Sequence, residues 1–310
     1  MADAASTART MWTLFEPIHA VTYFTGDSRS AFEQAGLRGF WRGYFAGRAA
    51  PLGAVGAAVV TASFFNFAPV FVARAIPGVW DLITPEDALR ARSAGATSAL
   101  RGLLAGREAD AAAAADLLWR AVGELDFSGR VLAAANAALP VPGRGASDGP
   151  GRGASDTPGS GAGDEHDGGL ARLWQAATVL REHRGDGHFA ALAAADIDGC
   201  EAVALRCLLD MRRKDLQPVR GWTDEAWDDA LARLAARGWA DGDGTLTSAG
   251  REAHAAVENA TDWAASRPWA ALGQEATAEI AAALTPLAQA CATVLPFPSP
   301  IGLPSPRPGQ

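Results

Sequence analysis

Between Leu180 and Leu192 the chain crowds Arg181, Glu182, His183, Arg184, Asp186 and His188 between two apolar, helix-like segments, Ala171 to Leu180 and Phe189 to Ala194. Ionisable groups wedged into core-forming sequence are costly to bury unless they pair or meet a ligand, so this stretch limits the folds open to the chain. Gly185 and Gly187 predict a turn here and a close approach to the backbone. An upstream stretch echoes it. Gly47-Arg48-Ala49-Ala50-Pro51-Leu52 lies in register with Gly187-His188-Phe189-Ala190-Ala191-Leu192: a glycine, a basic residue, small residues and a closing leucine. The two polar segments therefore read as equivalent parts of two related halves that face one site.

A chain of 310 residues, 49% of them hydrophobic, has enough apolar surface for one large core or two smaller ones. Its net charge of −8 argues against nucleic acid as a bulk electrostatic partner. The most apolar run, Ala54 to Val72, is interrupted by Asn66 and Pro69, so no membrane span is expected. Met1 to Thr10 has no apolar core of a secretory signal, and the three cysteines, Cys200, Cys207 and Cys291, have no metal spacing. These features suggest a cytoplasmic protein with no metal site.

Taken in order, the residues predict a mainly α chain. Glu16-Pro17 reads as an early helical turn, with His19 and Tyr23 on one face. Val55 to Phe65 is apolar on nearly every side and predicts a fully buried central helix, with Asn66 a polar group needing a partner. Val141 to Gly169 holds Gly, Pro, Ser and Asp and repeats Gly-Arg-Gly-Ala-Ser-Asp, the composition of a flexible connector. The expected division is a first domain over 12–140, a linker over 141–169, a second domain over 170–295 and a loose Pro-rich tail over 296–310.

In the second half, helix, gap, helix, tight hairpin and long helix follow one another, which is the winged helix-turn-helix order. Leu234-Ala235-Ala236-Arg237-Gly238-Trp239 and Leu246-Thr247-Ser248-Ala249-Gly250-Arg251 resemble the end of the recognition helix, the wing and the next helix of MarR-class regulators. The first half carries a fainter copy. Ala73 to Trp80 aligns with Ala232 to Trp239, and Ile83 to Asp87 with Leu246 to Gly250. The expected fold is thus two tandem winged-helix-like halves forming an intramolecular pseudo-dimer, each with a small β-hairpin wing. A wider set of words includes Glu16-Pro17-Ile18-His19 with Tyr23, Tyr44 to Gly53, Asn66-Phe67, Leu180 to His188 and Arg220-Gly221-Trp222. With these the chain resembles an actinobacterial family labelled SalK-like or helix-turn-helix. That resemblance implies the regulator-like fold and brings no substrate with it.

The residues speak against DNA as the partner. Thr223 to Ala236 sets Asp224, Glu225, Asp228 and Asp229 against Arg233 alone, and the wing tip carries Asp241 and Asp243, whereas phosphate contacts need Lys or Arg. The polar residues of the two apolar halves point instead to a pocket. His188, His19 and Tyr23 are the candidate catalytic groups, as acids or bases near neutral pH. Arg42, Tyr44, Arg48, Asn66, Arg181, His183, Trp41 and Trp174 are the candidate ligand-binding groups, with Arg42 or Arg48 clamping a carboxylate or phosphate. The expected ligand is aromatic and anionic, and the expected activity is acid–base tailoring in specialised metabolism. No cofactor motif is present, although a histidine with arginines also suits a haem-like macrocycle. The rival reading is a MarR-like regulator that senses such a molecule. Nothing in the sequence sets the oligomeric state.

Overall fold

The computed structural model describes residues 2–142 and 162–305 and is mainly helical. Five helices form a central bundle: α1 (Ala2–Phe24), α6 (Pro85–Leu103), α7 (Glu108–Gly123), α9 (Ala162–Ala194) and α14 (Arg267–Ala292). Met11, Phe15, Ile18, Leu100, Leu118, Leu173, Trp174, Ile280, Leu284 and Leu287 fill its core. Helix α7 turns an alanine face, Ala111, Ala114 and Ala115, into this core, and a Cβ on Gly169 of α9 would lie only 3.0 Å from that of Ala112. Small residues thus bring the two backbones close together.

One lobe on the bundle consists of α2 (Gly26–Gln34), α3 (Phe40–Ala49), α4 (Ala57–Ser63) and α5 (Pro69–Val72). The start of α6 and α8 (Val131–Ala137) complete it around Phe45, Phe64, Ile76 and Leu132. The other lobe holds α10 (Gly199–Leu209), α11 (Arg213–Arg220) and α12 (Asp224–Ala236) around Leu205, Trp227 and Leu234, and α13 (Ser248–Ala264) returns to the bundle. The lobes meet where the loop after α4 inserts against the second. Ala68 N donates to Arg220 O at 2.9 Å, and Trp222 Nε1 donates to Asn66 O at 3.1 Å. Gly221, the left-handed residue (φ 77°) between α11 and α12, is also where a Cβ would strike Phe71 of the first lobe at 2.3 Å.

Several sequence expectations change. Helix α1 runs straight through Pro17, because packing of its apolar face outweighs one lost backbone bond. The fully buried helix over Val55 to Phe65 is a short surface helix: Val60 is buried in it, whereas Val59 is 44% exposed. Alanine and glycine made the stretch look apolar while contributing little area to bury. Helix α9 begins inside the expected linker, at Ala162, while 143–161 of that linker lie outside the described residues. The tail is packed down, with Ser299 and Leu303 buried; its last residues, 306–310, lie outside the description.

The expected hairpin wings are not strands. Among the described residues there is one isolated antiparallel bridge, Ala240 to Leu246, and Asp241 Oδ1 closes its tip by accepting from the Asp243 and Thr245 amides at 3.1 and 2.8 Å. The aligned position in the first half is a single 3-10 turn, Gly78–Asp81. The helix starts agree better. Thr84 caps α6 by accepting from Asp87 N, and the aligned Thr247 caps α13 by accepting from Gly250 N, both at 3.1 Å.

Candidate functional site

Helix α9 organises the site. The turn expected at Gly185 and Gly187 is absent, and the helix continues unbroken to Ala194. Gly187 has a different purpose. Arg130 crosses the helix there, donating to His183 O at 2.6 Å and Ala264 O at 2.9 Å, and a Cβ on Gly187 would lie 2.1 Å from its Nη1. Because the helix is continuous, Arg181, Gly185, His188 and Leu192 recur at spacings of four, three and four and share one side.

That side borders a cavity of about 350 Å³ that also touches α1, α3, α10, α13, the end of α11 and the tail over 298–305. Its walls are ion pairs. Glu182 accepts from Arg48 Nη2 at 3.0 Å and from Arg181 Nη1 at 2.9 Å; Arg48 Nη1 also donates to Tyr44 Oη at 3.0 Å. Burial works against the Glu182 charge, but Arg48 and Arg181 outweigh it and hold the carboxyl down to about 2. Glu16 accepts from Trp12 Nε1 at 2.9 Å, and here burial prevails over Arg181 and raises the carboxyl. A second cluster joins Arg184 to Asp262 at 2.8 Å and Arg9 to Asp262 and Glu258 at 2.6 and 2.9 Å, with the Arg184 guanidinium over the Trp12 ring.

His188 stands between these clusters. Its Nδ1 lies 3.0 Å from Thr261 Oγ1, and that hydroxyl donates to Val257 O at 2.8 Å. Thr261 has one proton, so His188 Nδ1 must be the donor to it. This fixes the neutral tautomer, with the lone pair on Nε2. Among the described residues Nε2 has no hydrogen-bond partner, and His188 lines the cavity. Burial outweighs Glu258, whose Oε1 is 3.8 Å away, and lowers the His188 pKa to about 4, so the ring is neutral at pH 7.

A second cavity, of about 290 Å³, lies on the other side of the Tyr44–Arg48 wall, which both cavities share. His19, Tyr23, Trp174 and Arg92 line it. His19 repeats the wiring of His188. Its Nδ1 is 2.9 Å from Thr178 Oγ1, which donates to Trp174 O at 2.8 Å. His19 Nε2, however, is met by Tyr23 Oη at 3.0 Å. Burial keeps His19 neutral and raises the Tyr23 phenol. Arg92, buried without a carboxylate, donates to Gly47 O and Asn136 Oδ1 at 3.0 Å, and burial brings it down to about 10.

The sequence-selected residues are therefore divided. Tyr44, Arg48, Asn66, Arg181 and His188 line the larger cavity, and His19, Tyr23 and Trp174 line the smaller. Asn66 Oδ1 is sealed there without a donor. Three residues line neither cavity. Arg42 is exposed, because two helical positions turn it away from Tyr44. Trp41 packs among Phe40, Phe45, Phe67 and Phe71. His183 faces the opposite way from His188 and bonds Asp126 O at 3.1 Å; burial lowers it to about 4. Arg9, Trp12, Glu16, Arg220, Glu258, Thr261 and the tail join the site without having been expected from the sequence. Glu16 and Arg220 belong to the sequence words Glu16-Pro17-Ile18-His19 and Arg220-Gly221-Trp222, whereas Thr261 carries no signal beyond lying four residues after Val257.

A helix-turn-helix family model matches residues 8–298. The chain belongs to this helix-turn-helix family. No curated protein and no solved structure matches it. In this helix-turn-helix protein, α12 leaves Asp224, Glu225, Asp228 and Asp229 exposed. The arginines around it are engaged internally: Arg213 with Asp224 and Asp228, Arg233 with Asp198 and Glu201, and Arg237 with Asp196 and Glu201. Among the described residues no single helix is long and apolar enough to cross a membrane, and no cluster of His, Cys, Asp or Glu is arranged to hold a metal ion.

Proposed function

We propose that this helix-turn-helix protein binds a small aromatic, anionic molecule in the cavity bounded by α9, α10 and α13, and that it has given up DNA contact. In this reading the two halves are a tandem winged-helix pseudo-dimer, a view supported by the matched caps Thr84 and Thr247 and by the paired histidine–threonine units. The observation that carries the proposal is His188 Nε2: a neutral, tautomerically fixed base without a hydrogen-bond partner among the described residues, in a cavity walled by Trp12, Tyr44, Phe64, Phe67 and Phe189. A base as weak as this accepts a hydrogen bond more readily than it removes a proton. An anion bound nearby raises its pKa toward the ordinary histidine range, so the ring becomes a competent general base on binding. Acid–base tailoring of the ligand follows from that coupling.

The rival reading is a ligand-responsive regulator of the MarR kind. Its support is α11–α12, in helix-turn-helix order with α12 outward; its difficulty is the acidic surface of α12. Two measurements on the native chain separate the readings. Gentle purification followed by organic extraction and mass spectrometry should release an aromatic acid. A gel shift against DNA upstream of the gene, taken over a salt series, should show no salt-sensitive complex. A tight complex that weakens steeply with salt would instead make the protein a regulator.

A further inference from the structure

Six arginines border the larger cavity, and five of them have a carboxylate within ion-pairing distance: Arg9, Arg48, Arg181, Arg184 and Arg206. Arg220 is the exception. Among the described residues no carboxylate pairs with it, and its one hydrogen bond runs from Nη2 to the carbonyl oxygen of Pro300, at 3.1 Å, in the tail that closes the cavity. Its guanidinium lies 4.7 Å over the face of Phe67, which fixes the plane of the fork. A half-buried guanidinium with most of its donors unused and its orientation fixed is suited to a bidentate oxyanion. Arg48, the clamp suggested by the sequence, is already saturated by Glu182 and Tyr44.

We propose that Arg220 is the anion anchor of this cavity. The ligand presents a carboxylate or phosphate to the Arg220 fork, in the place that the Pro300 carbonyl now partly fills, and an O–H or N–H donor to His188 Nε2. Its aromatic body lies between them against Tyr44 and Phe64. The ligand class is thus a hydroxyaryl or aminoaryl oxyanion. This rests on the reading that the cavity binds an aromatic molecule.

The test is a fluorescence titration of the native chain with hydroxynaphthoate, its methyl ester, naphthyl phosphate and naphthoate without the hydroxyl. Hydroxynaphthoate is expected to bind at least tenfold more tightly than its ester. Arg220→Gln should erase that difference, and Arg220→Lys should retain part of it. His188→Gln should weaken hydroxynaphthoate while leaving the unhydroxylated naphthoate unchanged. A stronger response to naphthyl phosphate than to the acid would identify a phosphate ligand on the same anchor. Equal binding of acid and ester to the native chain would overturn the assignment, and so would an acid preference that survives in Arg220→Gln. If no probe binds in either charge state, the cavity reading itself fails and takes the anchor with it. Equal binding of acid and ester to the native chain overturns the assignment even if Arg220→Gln does not fold, and Arg220→Lys then carries the variant comparison.

Discussion

His19 and His188 are wired alike and end differently. Each donates from Nδ1 to a helical threonine that in turn donates to the carbonyl four residues back. At His19 the chain is closed, because Tyr23 occupies Nε2, Trp174 stacks on the ring and Trp174 Nε1 donates to His19 O. At His188 it stops at an open lone pair. The difference separates two jobs for the same motif: a closed chain satisfies buried polar groups and rigidifies the core, whereas an open one holds a single unmet valence toward a ligand.

The largest effect should come from the buried ion pairs at Arg48, where the two cavities share a wall. Glu182→Gln leaves Arg48 and Arg181 without their shared carboxylate in a nearly dry site, and a loss of roughly 3–5 kcal/mol in urea-melt stability is expected. The matching change beside His188, Glu258→Gln, takes a carboxylate from the partly exposed Arg9 while Arg184 and Arg9 both keep Asp262, and should cost about 1 kcal/mol. Comparable losses would erase the contrast.

Acid should act next most strongly. His183 and His188 are depressed to about 4, and His19 lies well below its ordinary value. Between the ordinary histidine range near 6.5 and about pH 4 the unfolded chain therefore binds more protons than the folded one, and stability falls as pH falls. Asp186, raised by burial to about 6, and Glu16, also raised by burial, work in the opposite direction over part of that window, because the folded chain takes up those protons first. A net loss of roughly 3 kcal/mol is expected in thermal melts between pH 7 and pH 4. A flat profile would mean that the histidines are not held neutral by the fold.

Smaller effects should sharpen the comparison. Thr178→Val strands the His19 proton in the core and should cost about 1–3 kcal/mol. Thr261→Val should cost less, because His188 still reaches the cavity, but nitrogen NMR should show the His188 tautomer no longer fixed. Smallest of all, Asp224→Lys with Asp228→Lys on the exposed face of α12 should change stability by about 0.5 kcal/mol or less. Should that double variant begin to bind DNA, acidity alone separates this helix from a reader of the major groove.

The sequence displayed the helical class and most of the polar residues that meet at the cavities. It displayed these because periodicity and buried charge are local properties. It hid whatever depends on a distant partner. Gly187 suggests a turn until Arg130, far away in the chain, is seen passing over it. Pro17 suggests a helix start until the bundle holds α1 together on both sides of it. The tail looked loose by composition, yet Leu303 finds a core to enter and Pro300 a cation to cap. Arg42 and Arg48 looked interchangeable as clamps because only the direction of α3 tells an outward arginine from an inward one.

Thr178 and His188 lie on the same rod, ten positions apart on α9, or about 15 Å at the rise of an α-helix. Their separation is therefore set by covalent geometry, as marks are set on a ruler, and does not depend on how the lobes settle. Side chains along that rod can be exchanged one at a time and leave the gauge intact. Adding or removing one residue between them would swing every later group around the axis by roughly a quarter turn and throw the two histidine stations out of alignment together.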